Sequence, residues 1–302
     1  MTCRGPLLVD ASAYPDRVPL TLTSIHRYPV KSCRGESVPE LLVEPWGLAG
    51  DRRWMLVDED GAVITAREVN RMVLIDPAIT PDGLVVTAPD LPTLTVPTPA
   101  PAAQTPVNLW SSHLTAAPAG PEADAWFGKA MGRTARLVHL DDPTRRPTSP
   151  DFSEPGDRVS FADGYPLLLA TEESLAALND VVLETCQGAG EPLPMTRFRP
   201  NVVVAGAEPW AEDDWRRVRI GDATFRAVKG CARCVITTID PVSARRAKEP
   251  LRSLARARRW DGTTWFAINL VPDTSGVVIR VGDEVEVLEA VSPGGGPIRP
   301  GS

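Results

Sequence analysis

The stretch RWMLVDEDGAVITA, residues 53–66, indicates the fold class most directly. Two runs rich in Val, Leu, Ile and Thr flank Asp58-Glu59-Asp60-Gly61, which supplies turn-forming side chains and a glycine that tolerates a positive φ. The spacing predicts a β-hairpin. Similar short runs lie on both sides of it, with LTLTSIHRYPV (20–30) and VPELLVE (38–44) before it and MVLIDPAI, GLVVTAP and LPTLTVP after it. We therefore predict an antiparallel sheet or barrel over roughly residues 20–110.

Helical patterns are few in this sequence. Three segments carry residues that start or stop helices and are predicted to be helical: 121–133, 172–187 and 243–259. The third segment is strongly basic, and Pro250 is expected to break or kink it. It could be a docking face for an acidic partner or simply a solvated face. The predicted fold class is therefore mainly β with a few helices (α+β).

Composition excludes several classes of protein. The chain has 302 residues, of which 43% are hydrophobic, and this is enough for one large core or two of medium size. Its net charge of −7 argues against a general nucleic-acid-binding protein. No apolar run has the roughly 18 residues that a membrane span requires, and the N-terminal stretch MTCRGPLLVDASAYPD has no signal-peptide core. We expect a cytoplasmic protein without a membrane span.

The cysteine pair in KGCARCVITTID, residues 229–240, is the strongest chemical signal in the sequence. A structural zinc needs four ligands, and the sequence offers one such pair with histidines that are scattered along the chain. A thioredoxin-like couple places its first cysteine at a helix N-terminus, whereas VITTID is predicted to be a strand. In a strand, Cys231 and Cys234 would point to opposite faces. Two interpretations remain open: a lone thiolate near Lys229 and Arg233, or two small buried strand residues.

Seven segments in chain order carry a family resemblance: YPVKSCRGE, GLAGDRRWMLVDEDGAVITAR, PLLLATEESLAALN, FRPNVVV, GCARCVITTIDP, AKEPL and VGDEVEVL. Together they resemble the MOSC family, in particular its two-part members such as the mitochondrial amidoxime-reducing components and their bacterial relatives. The resemblance implies an N-terminal β-barrel-like domain at 19–118 and a MOSC β-barrel core at 119–290. The composition of the chain ends adds a flexible arm at 1–18 and a disordered tail at 291–302.

The resemblance also implies a molybdenum cofactor (Mo-molybdopterin) bound between the two domains. Cys234 is then the catalytic residue and the protein thiolate on the metal, because a pterin dithiolene brings two sulfurs of its own. Matching the motifs residue by residue gives these cofactor contacts: Lys31, Ser32, Arg52, Gly164, Tyr165, Arg199, Asn201, Cys231, Ala232 and Cys234. Arginine suits the cofactor phosphate because it makes bidentate hydrogen bonds. Arg53 competes with Arg52, since alternation along a strand lets only one of them face the site.

Members with this architecture reduce N-oxygenated compounds, so the resemblance implies a molybdenum-dependent oxidoreductase for small amidoxime or hydroxylamine-type substrates. No cysteine follows Cys234 to hold an iron–sulfur cluster. Electrons are therefore expected from a separate donor of the ferredoxin, flavin reductase or cytochrome type. The long polar segment 141–160 is expected to border the substrate opening.

Two other functions stay open at this point. The first is a molybdenum cofactor carrier or sulfur-transfer protein with a persulfide on Cys234, because MOSC domains also end the molybdenum cofactor sulfurases. The desulfurase domain of those proteins binds pyridoxal phosphate, which is a family-level property only, and this chain has no room for such a domain. The second is a β-barrel binding module without a cofactor, and the presence of every cofactor-matching residue argues against it.

Overall fold

The structure is a computed structural model that describes residues 19–188 and 191–300 together with the backbone of Leu8–Val9. The described residues form twenty strands: β1 Leu8–Val9, β2 Leu20–Arg27, β3 Glu36–Val38, β4 Glu40–Glu44, β5 Gly47–Leu48, β6 Trp54–Val57, β7 Asp76–Thr80, β8 Gly83–Thr87, β9 Leu94–Pro97, β10 Thr105–Leu109, β11 Ser112–Pro118, β12 Arg136–His139, β13 Leu167–Thr171, β14 Val202–Ala205, β15 Trp215–Ile220, β16 Ala223–Ala232, β17 Arg259–Trp260, β18 Thr263–Pro272, β19 Val278–Arg280 and β20 Glu284–Val291. They also form three α-helices: α1 Pro121–Met131, α2 Glu172–Thr185 and α3 Leu251–Ala257. The prediction of a mainly β protein with a few helices is confirmed.

Seven strands close into a barrel in the order β20, β15, β16, β18, β13, β14 and β2, and β2 pairs back onto β20. Only the β13–β14 pair among them is parallel. The inward-facing side chains are apolar and buried, and they include Leu22, Leu169, Val218, Phe225 and Ile268. Closure of the ring leaves these seven strands without a free edge.

Strands β6 to β12 form a half-barrel. One sheet has the order β10, β11, β12 and β6, and a second has the order β7, β8 and β9. Helix α1 packs against this unit, where Phe127 is buried in one cluster with Leu56, Val86 and Leu137. The pattern of short alternating strands predicted for this region is thus confirmed.

The two units are interleaved along the chain rather than divided at one point. Strand β2 pairs with β14 and β20 of the closed barrel, and β4 pairs with β19, although β2 and β4 lie before residue 49. The half-barrel strands β6 to β12 lie between them and β13 in the chain. The chain therefore starts in the closed barrel, passes through the half-barrel and returns to the closed barrel.

The hairpin predicted at 53–66 is partly formed. The Asp58 carboxylate accepts hydrogen bonds from the backbone of Asp60 and Ala62, and Gly61 has a φ of 79°. The chain reverses there, and Val57 bridges Val63. The second arm stays irregular rather than a named strand, although the N–H of Asp58 donates to the Ala62 carbonyl and the N–H of Ile64 donates to the Leu56 carbonyl. Ala62 also bridges Asn108.

The helix predictions are confirmed for α1 and α2. Gly132 ends α1 in the left-handed region, and the Thr171 hydroxyl accepts a hydrogen bond from the backbone of Ser174 at the start of α2. The helix predicted at 243–259 is wrong over its first half, since α3 starts only after Pro250. Before it, the Asp240 carboxylate accepts the backbone N–H of Ser243 and holds a turn.

The chain ends are described only in part. Leu8–Val9 pair with the end of β20, and residues 1–7 and 10–18 of the expected flexible arm lie outside the described residues. In the expected disordered tail, the backbone carbonyl of Ile298 accepts a hydrogen bond of 2.8 Å from Gly230, so residues up to 300 run along the barrel. Residues 301–302 are outside the described range. Every helix in the described ranges falls short of what a membrane crossing requires.

Candidate functional site

One cavity of about 160 Å³ takes its walls from both units. All ten residues predicted from the sequence line it: Lys31, Ser32, Arg52, Gly164, Tyr165, Arg199, Asn201, Cys231, Ala232 and Cys234. They come from five separate segments of the chain: 31–32, 52, 164–165, 199–201 and 231–234. Folding therefore brings together the whole predicted set, while the role of each member as a cofactor contact remains a prediction.

Three of these residues have a left-handed backbone. Ser32, Arg52 and Arg199 have φ values of 69°, 46° and 56°. Residues other than glycine adopt this region at a cost of roughly 1–2 kcal/mol each, and such residues cluster at functional sites. Each lies in a tight turn outside the regular strands, and the turns aim the side chains at the cavity.

Tyr28 supports the two arginines. Its ring lies between them, with the guanidinium carbon of Arg199 4.2 Å and that of Arg52 4.4 Å from the ring centroid. The phenol donates a hydrogen bond of 3.1 Å to the carbonyl of Pro200, and the backbone N–H of Tyr28 donates to the Asp51 carboxylate. Burial raises the pKa of Tyr28 to about 12, although both guanidiniums lower it. The phenol therefore stays neutral and acts as a rigid spacer between two cations.

Arg52, rather than Arg53, faces the cavity. Arg52 donates to the Asp51 carboxylate at 2.6 Å and to the Asn201 side-chain oxygen at 2.9 Å. Arg53 points away and donates to the backbone carbonyls of Leu140 and Asp141. The alternation expected of a strand does not decide this, because β6 begins only at Trp54. The left-handed turn at Arg52 separates the two side chains instead.

Asn201 ties three segments to each other. Its side-chain oxygen accepts from Arg52 and from the backbone N–H of Leu168, and its amide donates to the backbone carbonyl of His26. The side chain is buried and most of its hydrogen-bonding capacity is used within the protein. Asn201 therefore positions Arg52 more than it offers a free group to a ligand.

Lys31, Asp163 and Arg67 form an ion cluster in the cavity wall. The Lys31 ammonium donates to the Asp163 carboxylate at 2.5 Å and to the carbonyl of Phe161, and Arg67 donates to the other Asp163 oxygen at 2.9 Å. Burial lowers the pKa of Lys31 to about 8, although Asp163 opposes the shift. Burial also acts on Asp163, but the two cations outweigh it and hold its pKa below the ordinary value. Asp163 is thus ionised at neutral pH.

The prediction of a strand at VITTID is wrong. Residues Val235–Thr238 form a short 3₁₀ helix in which the hydroxyls of Thr237 and Thr238 donate to the backbone carbonyls three residues back. These local bonds compete with a strand ladder. As a result Cys231 and Cys234 line the same cavity and do not diverge. The geometric argument against a dithiol pair no longer applies, and both thiols are free in the structure.

The two cysteines have different surroundings. Cys231 lies at the end of β16, and Arg233 donates to its sulfur at 2.8 Å. Burial raises the pKa of Cys231, and Arg233 opposes this shift. Cys234 lies directly before the 3₁₀ helix, half-buried, and interacts with Arg67. Cys33, by contrast, is fully buried, and burial raises its pKa to about 12.

The cavity suits an anionic ligand with polar edges. Asp163 is the one carboxylate among the described lining residues. Five cationic side chains line the cavity with it: Lys31, Arg52, Arg67, Arg199 and Arg233. The Nε of Arg233 and the hydroxyl of Thr65 are buried in its wall without a partner among the described residues. Buried polar atoms are usually paired, so these two offer hydrogen bonds to a ligand.

The described part of the chain brings no three His, Cys, Asp or Glu side chains close enough to hold a metal ion. A metal at Cys234 would therefore take its other ligands from a molecule that binds with it.

The sequence was compared with known protein families. Residues 19–134 match the MOSC N-terminal beta barrel domain and residues 156–286 match the MOSC domain. Mitochondrial amidoxime-reducing component 1 of Xenopus laevis is 32% identical over 279 residues, which cover 85% of this chain and 79% of that protein. The human protein of the same name is 32% identical over 288 residues, with 89% and 83% covered.

The chain belongs to the MOSC family. It has the two-part arrangement of N-terminal and MOSC domains. A molybdenum cofactor sulfurase from Solanum lycopersicum is also similar, at 31% identity over 87% of this chain but only 35% of the sulfurase.

The predicted cofactor contacts left out several polar residues of this MOSC cavity, among them Thr65, Arg67, Asp163 and Asn269, and Arg233 was named only as a cation near the cysteines. Signals for two of them were present. Arg67 ends the matching segment GLAGDRRWMLVDEDGAVITAR, and Asp163 directly precedes the two predicted residues Gly164 and Tyr165. Asp163 could have been recognised as a carboxylate that balances the charge of the cations already selected, and Arg67 as one more cation.

Proposed function

We propose that this MOSC protein binds a molybdopterin-type molybdenum cofactor in the cavity and reduces N-hydroxylated compounds such as amidoximes. The observation that supports this most is the convergence of five cations and two free thiols on one cavity. The relatives named as amidoxime-reducing components, at about 32% identity over most of the chain, support the reaction class.

The residues present fit the group. A phosphate on the cofactor would lie among Arg52, Arg199 and Lys31, since guanidinium and ammonium groups make the strongest hydrogen bonds to phosphate. Cys234 would supply the single protein thiolate, and soft thiolates suit such a metal. When bound, the cofactor supplies a two-electron redox centre that can accept an oxygen atom. Arg67 interacts with Cys234 and would place a positive charge beside that sulfur.

The overall reaction consumes two electrons and two protons. An amidoxime loses its N–O bond, the oxygen leaves as water, and the product is an amidine. The described residues bring together no three His, Cys, Asp or Glu side chains that could hold a further metal centre. We propose a separate electron-donor protein of the ferredoxin, flavin reductase or cytochrome type as the source of the electrons.

A second function has its own support in the similarity to the molybdenum cofactor sulfurase. In this alternative, the chain carries the cofactor or transfers sulfur through a persulfide on Cys234. The chain covers 35% of the length of that relative.

The test is molybdenum content by inductively coupled plasma mass spectrometry. Wild type, Cys234→Ser and Cys33→Ser are purified from a host that makes the cofactor, and benzamidoxime reduction is measured with an artificial donor. We expect near-stoichiometric molybdenum in the wild type and in the Cys33→Ser control. Cys234→Ser should lose the metal or change its absorption spectrum, and it should lose reductase activity. Absence of metal from all three proteins, together with a persulfide on Cys234, would favour sulfur transfer instead.

A further inference from the structure

A second chamber adjoins the cavity. It has a volume of about 510 Å³ and lies between residues 110–114, which are the β10–β11 turn and the start of β11, and the loop 145–150. The two spaces share Asp163 and Gly164. An added Cβ at Gly164 would meet no described atom within 4 Å, so this shared point is open. A molecule in the chamber can thus reach the cavity next to the ion cluster of Lys31, Asp163 and Arg67.

Trp110 forms the wall of this chamber in an unusual conformation. It is the first residue of the two-residue turn between β10 and β11, and its φ is 55°. Two-residue hairpin turns usually place Gly, Asn or Asp at such positions. The ring is also 46% exposed, one of the few large apolar side chains that reach the surface. A strained backbone that presents a large ring beside a cavity is a candidate for ligand contact.

Cations from the cavity cover part of this ring. The guanidinium carbon of Arg67 is 4.6 Å from the ring centroid, and the Lys31 ammonium is 5.8 Å from it. Both cations line the cavity, whereas Trp110 lines the chamber. The ring therefore stands between the two spaces, and its remaining surface faces whatever occupies the chamber.

Arg146 fixes the opposite wall. It is buried, and its guanidinium donates to the carbonyls of Ala162 at 2.6 Å and Asp163 at 2.9 Å, and also to that of Ser160. These bonds fasten the loop 145–150 to the segment that carries Asp163. The chamber is preformed rather than created by a mobile loop.

We propose that this chamber binds the body of a planar, uncharged N-hydroxylated substrate against Trp110, with its N–O group directed past Asp163 and Gly164 into the cavity. The inference rests on the proposed reductase function and adds the place and the charge of the substrate. Aromatic rings favour offset stacking on tryptophan, so an aryl amidoxime fits this wall.

The charge selection follows from the groups around the opening. Lys31 and Arg67 both pair with the Asp163 carboxylate. Arg146 is a third cation, and in the 160–163 segment it donates only to backbone carbonyls, which do not neutralise its charge. Three cations therefore face one carboxylate, whereas Arg145 is paired with Asp141. An amidoxime is neutral near pH 7, but the amidine product is a protonated cation. The surplus positive charge admits the substrate and repels the product.

Isothermal titration calorimetry tests this directly, with benzamidoxime and benzamidine as probes. Wild type should bind benzamidoxime at least tenfold more tightly than benzamidine. Trp110→Asn should weaken benzamidoxime binding by roughly three- to tenfold, while Trp110→Phe should keep most of it. Asparagine tolerates the left-handed backbone, so this variant should fold. Trp46→Ala is the control, because Trp46 lines neither space. Equal binding of the two probes, no binding of benzamidoxime, or no effect of Trp110→Asn would each overturn the proposal.

Kinetics separate this inference from the proposed function. In a molybdenum-loaded enzyme, Trp110→Asn should raise KM for benzamidoxime with little change in kcat, and it should leave a small aliphatic amidoxime nearly unaffected. Reduction of benzamidoxime by both proteins with equal KM would refute the chamber and leave the reductase in place. If the two probes bind as expected but the protein holds no molybdenum and shows no reductase activity, the reductase function is refuted and the chamber proposal stands.

Discussion

Asn201→Ala is the substitution that tests the organisation of the cavity most sharply. The side chain is 1% exposed and joins Arg52, Leu168 and His26 by hydrogen bonds of 2.9, 3.2 and 3.2 Å. Alanine leaves the buried N–H of Leu168 without its partner, which costs about 1–3 kcal/mol. Loss of the bond to His26 adds about 0.5–1.5 kcal/mol. Arg52 keeps its bond to Asp51, so that end contributes little.

The expected destabilisation is therefore about 1.5–4.5 kcal/mol. At roughly 2–4 °C per kcal/mol for a chain of this size, the melting temperature should fall by roughly 3–18 °C. Urea unfolding followed by tryptophan fluorescence would give the free energy, and metal analysis would give the molybdenum content. We expect a lower molybdenum content as well, because Arg52 loses the group that orients it.

Asn179→Ala is the matched control. Its side chain also bonds a backbone N–H and a backbone carbonyl, both of Leu193, but it lies away from the cavity. It should reduce stability and leave molybdenum binding unchanged. A change of less than about 0.5 kcal/mol for Asn201→Ala would refute the hydrogen-bond argument. Equal destabilisation by the two variants with full metal content in both would refute the positioning of Arg52.

Three other predictions follow from single groups. Burial lowers the pKa of Lys31 to about 8, so the ammonium loses its charge as pH rises through 8. The molybdenum that wild type retains after dialysis should therefore fall between pH 7 and pH 9. The molybdenum retained by Lys31→Met should not change over this pH range. Burial raises the pKa of Glu212 from 4.5 to about 7 in the folded state, so its ionisation destabilises the folded protein as pH rises from about 4.5 to 7. Glu212→Gln should therefore raise the free energy of unfolding by about 1–3 kcal/mol at pH 8 and by much less at pH 4.5. Arg52→Met should reduce molybdenum content several-fold by metal analysis, whereas Arg53→Met should not, and the reverse order would contradict the assigned orientation.

Local patterns predicted the elements that depend on local physics. Alternating apolar residues and turn residues indicated the strands, and residues that start or stop helices indicated α1 and α2, which the structure confirms. The same reasoning failed at VITTID, where β-branched residues favour a strand but threonine hydroxyls close a 3₁₀ helix. It also could not show that β2 closes a barrel made of strands far along the chain, because that pairing depends on register with β20.

The site was predictable as a set of residues but not as a geometry. The motifs selected ten residues that line one cavity. They did not select Asp163, which pairs with Lys31, or Arg67, which interacts with Cys234. Charge balance across distant segments becomes visible only when the segments are folded together. The choice between Arg52 and Arg53 likewise depended on a backbone angle that no local pattern specifies.

The three left-handed residues of the cavity explain why it should be formed before any ligand arrives. Together Ser32, Arg52 and Arg199 cost roughly 3–6 kcal/mol in backbone strain. Contacts within the protein can offset a cost of that size: Tyr28 stacks between both guanidiniums, and Arg199 donates to the carbonyl of Cys33 at 2.7 Å. Since these bonds need no ligand, the cations are held in place in its absence, and binding does not have to supply the energy to assemble them.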